Sequence, residues 1–176
     1  FHDFQAEMRG GSGGWELQHR YGERVHILDN VYLLSALARI GSPNVAHRDL
    51  MALLRSVYQT LLMTGCGREL PRVRAEEPTR MAATQPQRGV YRGALFDPAT
   101  NVVVVDIIRA GIVPSQICFE LLTAVLSEKR VRLDHLNMAR KSDDAGHVTG
   151  VDLSGSKIGG RVDGSVLLLP DPMGAT

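Results

Sequence analysis

Reading the apolar positions in order, the first regular pattern is helical. Asn30 can cap a helix through "VYLLSALARI", which Gly41 would end. A second helix is expected over "SPNVAHRDLMALLRSVYQTLLMTG", with Ser42 as its cap and Pro43 in its first turn. Ala46, Leu50, Leu53, Leu54, Val57 and Leu61 recur there at helical spacing and predict one apolar face. Upstream, "RGGSGGWELQHRYGER" opens on a Gly/Ser stretch, so residues 1–24 read as a flexible lead-in with order beginning near Val25.

From residue 68 to residue 100 the pattern changes. Pro71, Pro78, Pro86 and Pro98 interrupt helical periodicity, and runs such as "GVYRGALF" suggest strands or extended segments. Arg68, Arg72, Arg74, Arg80, Arg88 and Arg92 fall here. They fit either a solvated basic surface or a flap that meets an anionic ligand or a partner subunit.

The core begins at "NVVVVDIIRAG". Its β-branched residues do not alternate with polar ones, the pattern of a strand buried on both faces in a parallel sheet. "PSQICFELLTAVLSEKR" follows as a helix, with Pro114 in its first turn and Ile117, Leu121, Leu122, Val125 and Leu126 inward. "VRLDHLNMAR" predicts a strand with Val131, Leu133 and His135 on one side. Residues 141–160 are polar and glycine-rich, a long loop or hairpin, and "SVLLLP" is a further buried strand. This alternation of strand and helix predicts a three-layer α/β domain with a mainly parallel sheet.

Composition narrows this picture little. A chain of 176 residues with 44% hydrophobic and 22% charged residues suits one globular domain. Its net charge of +1 gives no whole-chain attraction to nucleic acid or an anionic membrane. No apolar run approaches transmembrane length. Cys66 and Cys118 form no CxxC and are expected to be reduced thiols of a cytoplasmic protein. The six histidines form no HxxxH or HExxH, and no metal site is expected from them. Asp143 and Asp144 read as a solvated loop pair, and Cys118 as a core residue.

Candidate chemistry lies at the strand ends, because ligands of open parallel sheets bind beyond the carboxyl ends of the strands. The first core strand ends in Arg109-Ala110-Gly111, the second in Arg140-Lys141, the third in Asp171 with Met173-Gly174-Ala175-Thr176. Guanidiniums match phosphate oxygens in bidentate fashion, each charge-assisted hydrogen bond being worth about 1.5–3 kcal/mol. A carboxylate accepts from a vicinal diol, and small residues at 174–176 would let backbone N–H groups reach a phosphate.

The wording of "VVVVDIIRAG" and "VLLLPDPMGAT" resembles the uracil phosphoribosyltransferases, of the type I phosphoribosyltransferase fold. Pro172 stands where that branch replaces a second acidic residue, while Gly174 stands where leucine is common. "RVHILDN", "GRELP" and "MAR" extend the resemblance over residues 25–176, with Ala139 in place of an aromatic residue. It implies a type I fold with mainly parallel sheet and an N-terminal helical/extended flap region. It also implies that residues 25–176 form a phosphoribosyltransferase domain truncated before its C-terminal third.

The activity so implied is that of a pentosyltransferase, converting uracil and 5-phosphoribosyl 1-pyrophosphate (PRPP) to UMP and pyrophosphate in pyrimidine salvage. Arg109, Ala110 and Gly111 would hold the pyrophosphate of PRPP, and Arg140 would contact its phosphates. Asp171 would bond the ribose hydroxyls, and Met173, Gly174, Ala175 and Thr176 would begin the 5-phosphate loop. Lys157 stands at a family-like distance before the Asp-Pro motif. Mg²⁺ is implied, held mainly by substrate, together with a homo-oligomer that is a dimer or larger. No covalent nucleophile is needed; positioning and electrostatics carry the reaction. Residues 1–176 alone are expected to be inactive, the rest of the phosphate loop being missing. The alternatives are a non-catalytic nucleotide-binding regulatory relative and a phosphoribosyltransferase for another base.

Overall fold

The computed structural model describes residues 16–172, and the chain divides into two units, Phe1–Leu53 and Leu54–Thr176. In the first unit, pairing begins upstream of Val25. Glu16 bridges Leu28 in antiparallel fashion, and the Leu17 N–H donates to the Ile27 carbonyl at 2.8 Å. Helix α1 (Val31–Ile40) follows with the expected cap: Asn30 Oδ1 accepts from the N–H groups of Tyr32 (2.9 Å) and Leu33 (3.3 Å). Leu33 and Ala36 are its buried residues, and Gly41 closes it by donating to the Leu37 carbonyl. An N-cap asparagine satisfies N–H groups that would otherwise be orphaned at the helix start. Asn30→Ala should therefore cost about 1 kcal/mol in urea denaturation. An unchanged midpoint would show that the cap is redundant with solvent.

Helix α2 (His47–Glu69) starts later and ends later than its sequence suggests. Ser42 does not cap it. Its Oγ and its carbonyl instead accept from Asn44 (3.4 Å) and Val45 (3.3 Å) in a separate turn, which delays the helix. At the other end the helix runs through Gly65 and Gly67, each costing about 1 kcal/mol relative to alanine. Burial of Leu70 and partial burial of Cys66 in the core offset that cost. The inward face is also rotated from the expected one, since Leu62 is 8% exposed and Leu61 42%.

The second unit holds two sheets. Strands β1 (Arg72–Pro78) and β2 (Val90–Phe96) form an antiparallel pair, with Glu76 opposite Arg92 at 3.2 Å. The main sheet contains β3 (Val102–Ile108), β4 (Val131–Ser142), β5 (Val148–Lys157) and β6 (Val166–Leu168), in the order β5-β4-β3-β6. β3 is parallel to both β4 and β6, and β5 is antiparallel to β4. Parallel neighbours require a crossover. Helix α3 (Ile112–Thr123) supplies the one between β3 and β4. The helix stops at Thr123, short of the expected Arg130, because the chain tightens there: the Val125 and Leu126 N–H groups both donate to the Leu122 carbonyl. That turn leaves Val125 outside and returns Leu126 to the core.

The core joins Tyr58 and Leu62 of α2, Val102 and Val104 of β3, Ile117, Cys118 and Leu122 of α3, and Val131 of β4. Cys118 is buried, as its helix position predicts. Residues of both helices thus pack against one face of the sheet, while Val103 on the other face is 2% exposed. β6 departs from the expectation of a fully buried strand. It is an edge strand whose Val166 and Leu168 pack inward, while Leu167 and the following Leu169 are 48% and 54% exposed.

Residues 141–160 resolve into the hairpin alternative. Asp143 is no mere solvated residue there. Its Oδ1 accepts from Ala145 (3.0 Å) and His147 (2.8 Å), templating the turn between β4 and β5. The protein is a mixed α/β fold with a mainly parallel four-stranded sheet. Among the described residues, no helix is long and apolar enough to cross a membrane.

Candidate functional site

The parallel register of β3 and β4 ends at Ile108 opposite Asn137, so both strands deliver their carboxyl ends to one edge. The chain leaves β3 through a tight turn in which the Gly111 N–H donates to the Ile107 carbonyl at 2.9 Å. The Ile108–Arg109 peptide is cis. Position 111 has no room for a side chain: a Cβ would lie 2.9 Å from both the N and the O of Ile107. From that turn α3 starts, with the Ser115 N–H donating to the Gly111 carbonyl.

Facing the turn is the far end of β4. Residues 108–110 and 137–140 line an open cleft of about 770 Å³. Arg109 and Arg140 are both exposed on it, and neither lies within ion-pair distance of a carboxylate among the described residues. The side chain at Ala139 is small and leaves the middle of the lining open. Two guanidiniums without a carboxylate partner among the described residues thus flank an open cleft whose remaining lining is amide and apolar, a set of donors whose chemistry suits an anion.

Of the residues singled out from the sequence, the structure brings Arg109, Ala110 and Arg140 into this cleft, with Gly111 packed directly behind it. Asp171 lines a different cavity, an apolar groove of about 370 Å³ bounded by Tyr58, Leu62, Cys118 and Pro170. The Tyr58 hydroxyl is pushed up to about 12, first by burial and then by the negative charge of Asp171. Burial likewise raises the Cys118 thiol to about 12, with a contribution from Cys66. Lys157 is the register partner of His135 on β5 and does not line the cleft. Met173, Gly174, Ala175 and Thr176 lie outside the described residues.

Two buried carboxylates, Asp106 in the second half of β3 and Asp134 near the start of β4, were not singled out from sequence. Asp106 and Asp134 are 2% and 3% exposed. Pleat alternation puts them on opposite faces, because Asp134 is the partner of Val105 and Asp106 the partner of His135. Asp134 accepts two hydrogen bonds from Arg132 (2.8 and 3.0 Å) and one from the Gly159 N–H (3.0 Å). Burial alone would raise its carboxyl, but these donors outweigh burial and hold it below its ordinary range. Asp106 Oδ2 lies 2.9 Å from His135 Nδ1, and its Oδ1 has no hydrogen-bond partner. An acid inside the otherwise apolar run "VVVVDII" was the available signal for this pair.

The fold and this cleft define an α/β domain with two exposed guanidiniums at one edge of its sheet. One solved structure similar to it is that of the AQ2163 protein from Aquifex aeolicus. The likeness covers 82% of this chain and 60% of that one, at 15% identity and a TM-score of 0.59. The chain therefore spans less than two thirds of that relative, and the likeness shows the fold alone. No protein-family profile matches the chain, and no curated protein matches it.

Proposed function

We propose that this chain carries the PRPP-binding part of a uracil phosphoribosyltransferase. The observation that carries the reading is the cleft, where Arg109 and Ala110 at the end of β3 face Arg140 on β4 with no competing carboxylate. The type I resemblance of "VVVVDIIRAG" and "VLLLPDPMGAT" gives the anion its identity. In this reading the turn at 109–111 and Arg140 bind the pyrophosphate of PRPP. The uracil nitrogen attacks the anomeric carbon, the bond to pyrophosphate breaks, and the nitrogen's proton leaves to solvent. The guanidiniums stabilise the negative charge that builds on the departing pyrophosphate.

Mg²⁺ is implied by the same reading and would be held mainly by the substrate's own oxygens. The cleft lining is guanidinium, amide and apolar, a donor set that fits an anion bringing its own ion rather than a resident metal. When bound, the ion would supply further neutralisation of the pyrophosphate. The reading carries with it a cytoplasmic location and a homo-oligomer.

A second reading, a non-catalytic relative that binds nucleotides or PRPP, is favoured by the position of Asp171 on the apolar groove instead of the cleft. Conversion of labelled uracil to UMP with release of pyrophosphate by the full-length protein tests the first. PRPP binding without turnover would favour the second. Absence of both would overturn each.

A further inference from the structure

We propose that Asp106 and His135 are positioning residues for the anion cleft, tying both of its walls together from beneath. The inference rests on the phosphoribosyl reading only for the choice of anion.

Asp106 and His135 form the register pair two residues before Ile108 and Asn137, which line the cleft. Pleat alternation puts all four side chains on one face of the sheet. Backbone hydrogen bonds already join β3 to β4 there. The 2.9 Å contact between Asp106 Oδ2 and His135 Nδ1 adds a side-chain tie just below the point where the two strands part into separate cleft walls.

The other carboxylate oxygen faces a third part. A Cβ on Gly111 would lie 3.0 Å from Asp106 Oδ1, so this oxygen sits against the turn that carries Arg109 and Ala110. It has no hydrogen-bond partner. A single buried carboxylate therefore touches β4 through one oxygen and the turn through the other. Its surroundings would accommodate a valine at no desolvation cost, as they do at Val102–Val105, whereas a carboxylate incurs that cost and makes only one hydrogen bond. With Asp106 ionised, His135 Nδ1 must be the protonated nitrogen, because a carboxylate can only accept. His135 acts on the cleft through Asp106 and through Asn137, two residues on, and not by touching the anion. Lys157 of β5 is the charged group alongside the pair.

Positioning of this kind predicts a loss of affinity without loss of fold. The probe is inorganic pyrophosphate, measured by calorimetry on the full chain. Asp106→Leu and His135→Leu should each raise its Kd by about tenfold, the scale of weakening one charge-assisted hydrogen bond to the anion. His135→Asn should restore affinity to within about twofold of wild type, because its amide N–H can replace Nδ1–H toward Asp106. A merely structural role for the ring would leave the asparagine as weak as the leucine. In wild type, saturation with pyrophosphate should shift the ¹⁵N signals of the His135 ring. Leucine variants that bind as wild type, failed rescue by asparagine, or ring signals that ignore pyrophosphate would each overturn the proposal. If the leucine variants do not fold, the asparagine variant and the ring signals decide it. A wild type that binds no pyrophosphate removes the phosphoribosyl reading and this proposal with it. A wild type that binds, with leucine variants that bind equally, removes this proposal alone.

Discussion

Arg109→Ala should weaken PRPP binding at least about tenfold while leaving the thermal unfolding midpoint unchanged. The side chain is exposed at the edge of the sheet and has no carboxylate partner among the described residues, so removing it leaves no buried charge behind. What is lost is one charge-assisted, bidentate-capable contact to a phosphate, worth about 1.5–3 kcal/mol, or roughly ten- to a hundredfold in affinity. Lysine at the same position should recover only part of it, because an ammonium restores charge but not the planar fork. Raising salt from low to physiological strength should penalise wild type more than the alanine variant. Calorimetry with PRPP, followed by uracil-dependent turnover of the full-length protein, reads both effects. Wild-type affinity in the variant would take Arg109 out of the site.

Arg132→Ala should lower stability at neutral pH by about 3 kcal/mol, the low end of the range for breaking a buried ion pair from one side. Asp134 would stay buried and lose both guanidinium hydrogen bonds, keeping only the Gly159 N–H. The segment after β5 would loosen as well, since Arg132 also donates to the Gly160 (3.2 Å) and Arg161 (3.3 Å) carbonyls. The sign with pH is specific. In wild type the Asp134 carboxyl is held below its unfolded value, so its contribution is present above the unfolded pKa and is lost as pH falls through the folded one. In the variant, burial acts without the arginine and favours the neutral acid. The gap between the two proteins should therefore be widest near neutrality and shrink as pH drops below the ordinary carboxylate range. Urea midpoints at pH 7 and pH 4 test this. A gap that is constant or grows on acidification would show that Arg132 stabilises by packing alone.

Legibility in the sequence followed burial. The run at Val102–Val105 could be read because a strand enclosed by neighbours needs β-branched residues at consecutive positions. The α1 cap could be read because Asn30 acts on N–H groups within its own first turn. β5 was only half legible, as a loop or hairpin, because an edge strand with most residues in solvent has no alternation to read. The missed start of α2 has a local cause too: Ser42 had two competing uses, and the turn took it. At the site, Arg109 and Arg140 were legible as polar residues at the ends of apolar strands. The Asp106–His135 contact was not, because it depends on the β3–β4 register, which neither segment specifies alone. Asp171 illustrates the same limit, since its neighbours on α2 and α3 are set by packing rather than by its motif.

The sheet order has a consequence for how the chain is made. β1–β2 and β4–β5 are neighbours in sequence and can close as soon as each pair has emerged from the ribosome. β3 cannot be completed so early. One of its sides waits for β4, a helix away, and the other for Val166–Leu168, which is synthesised after the other described strands of the sheet. Such distant pairing carries a larger loop-closure cost than a hairpin and forms late. Through most of synthesis the largely apolar β3 therefore lacks one of its two neighbours, and among the described residues the three of β6 are what fill that side.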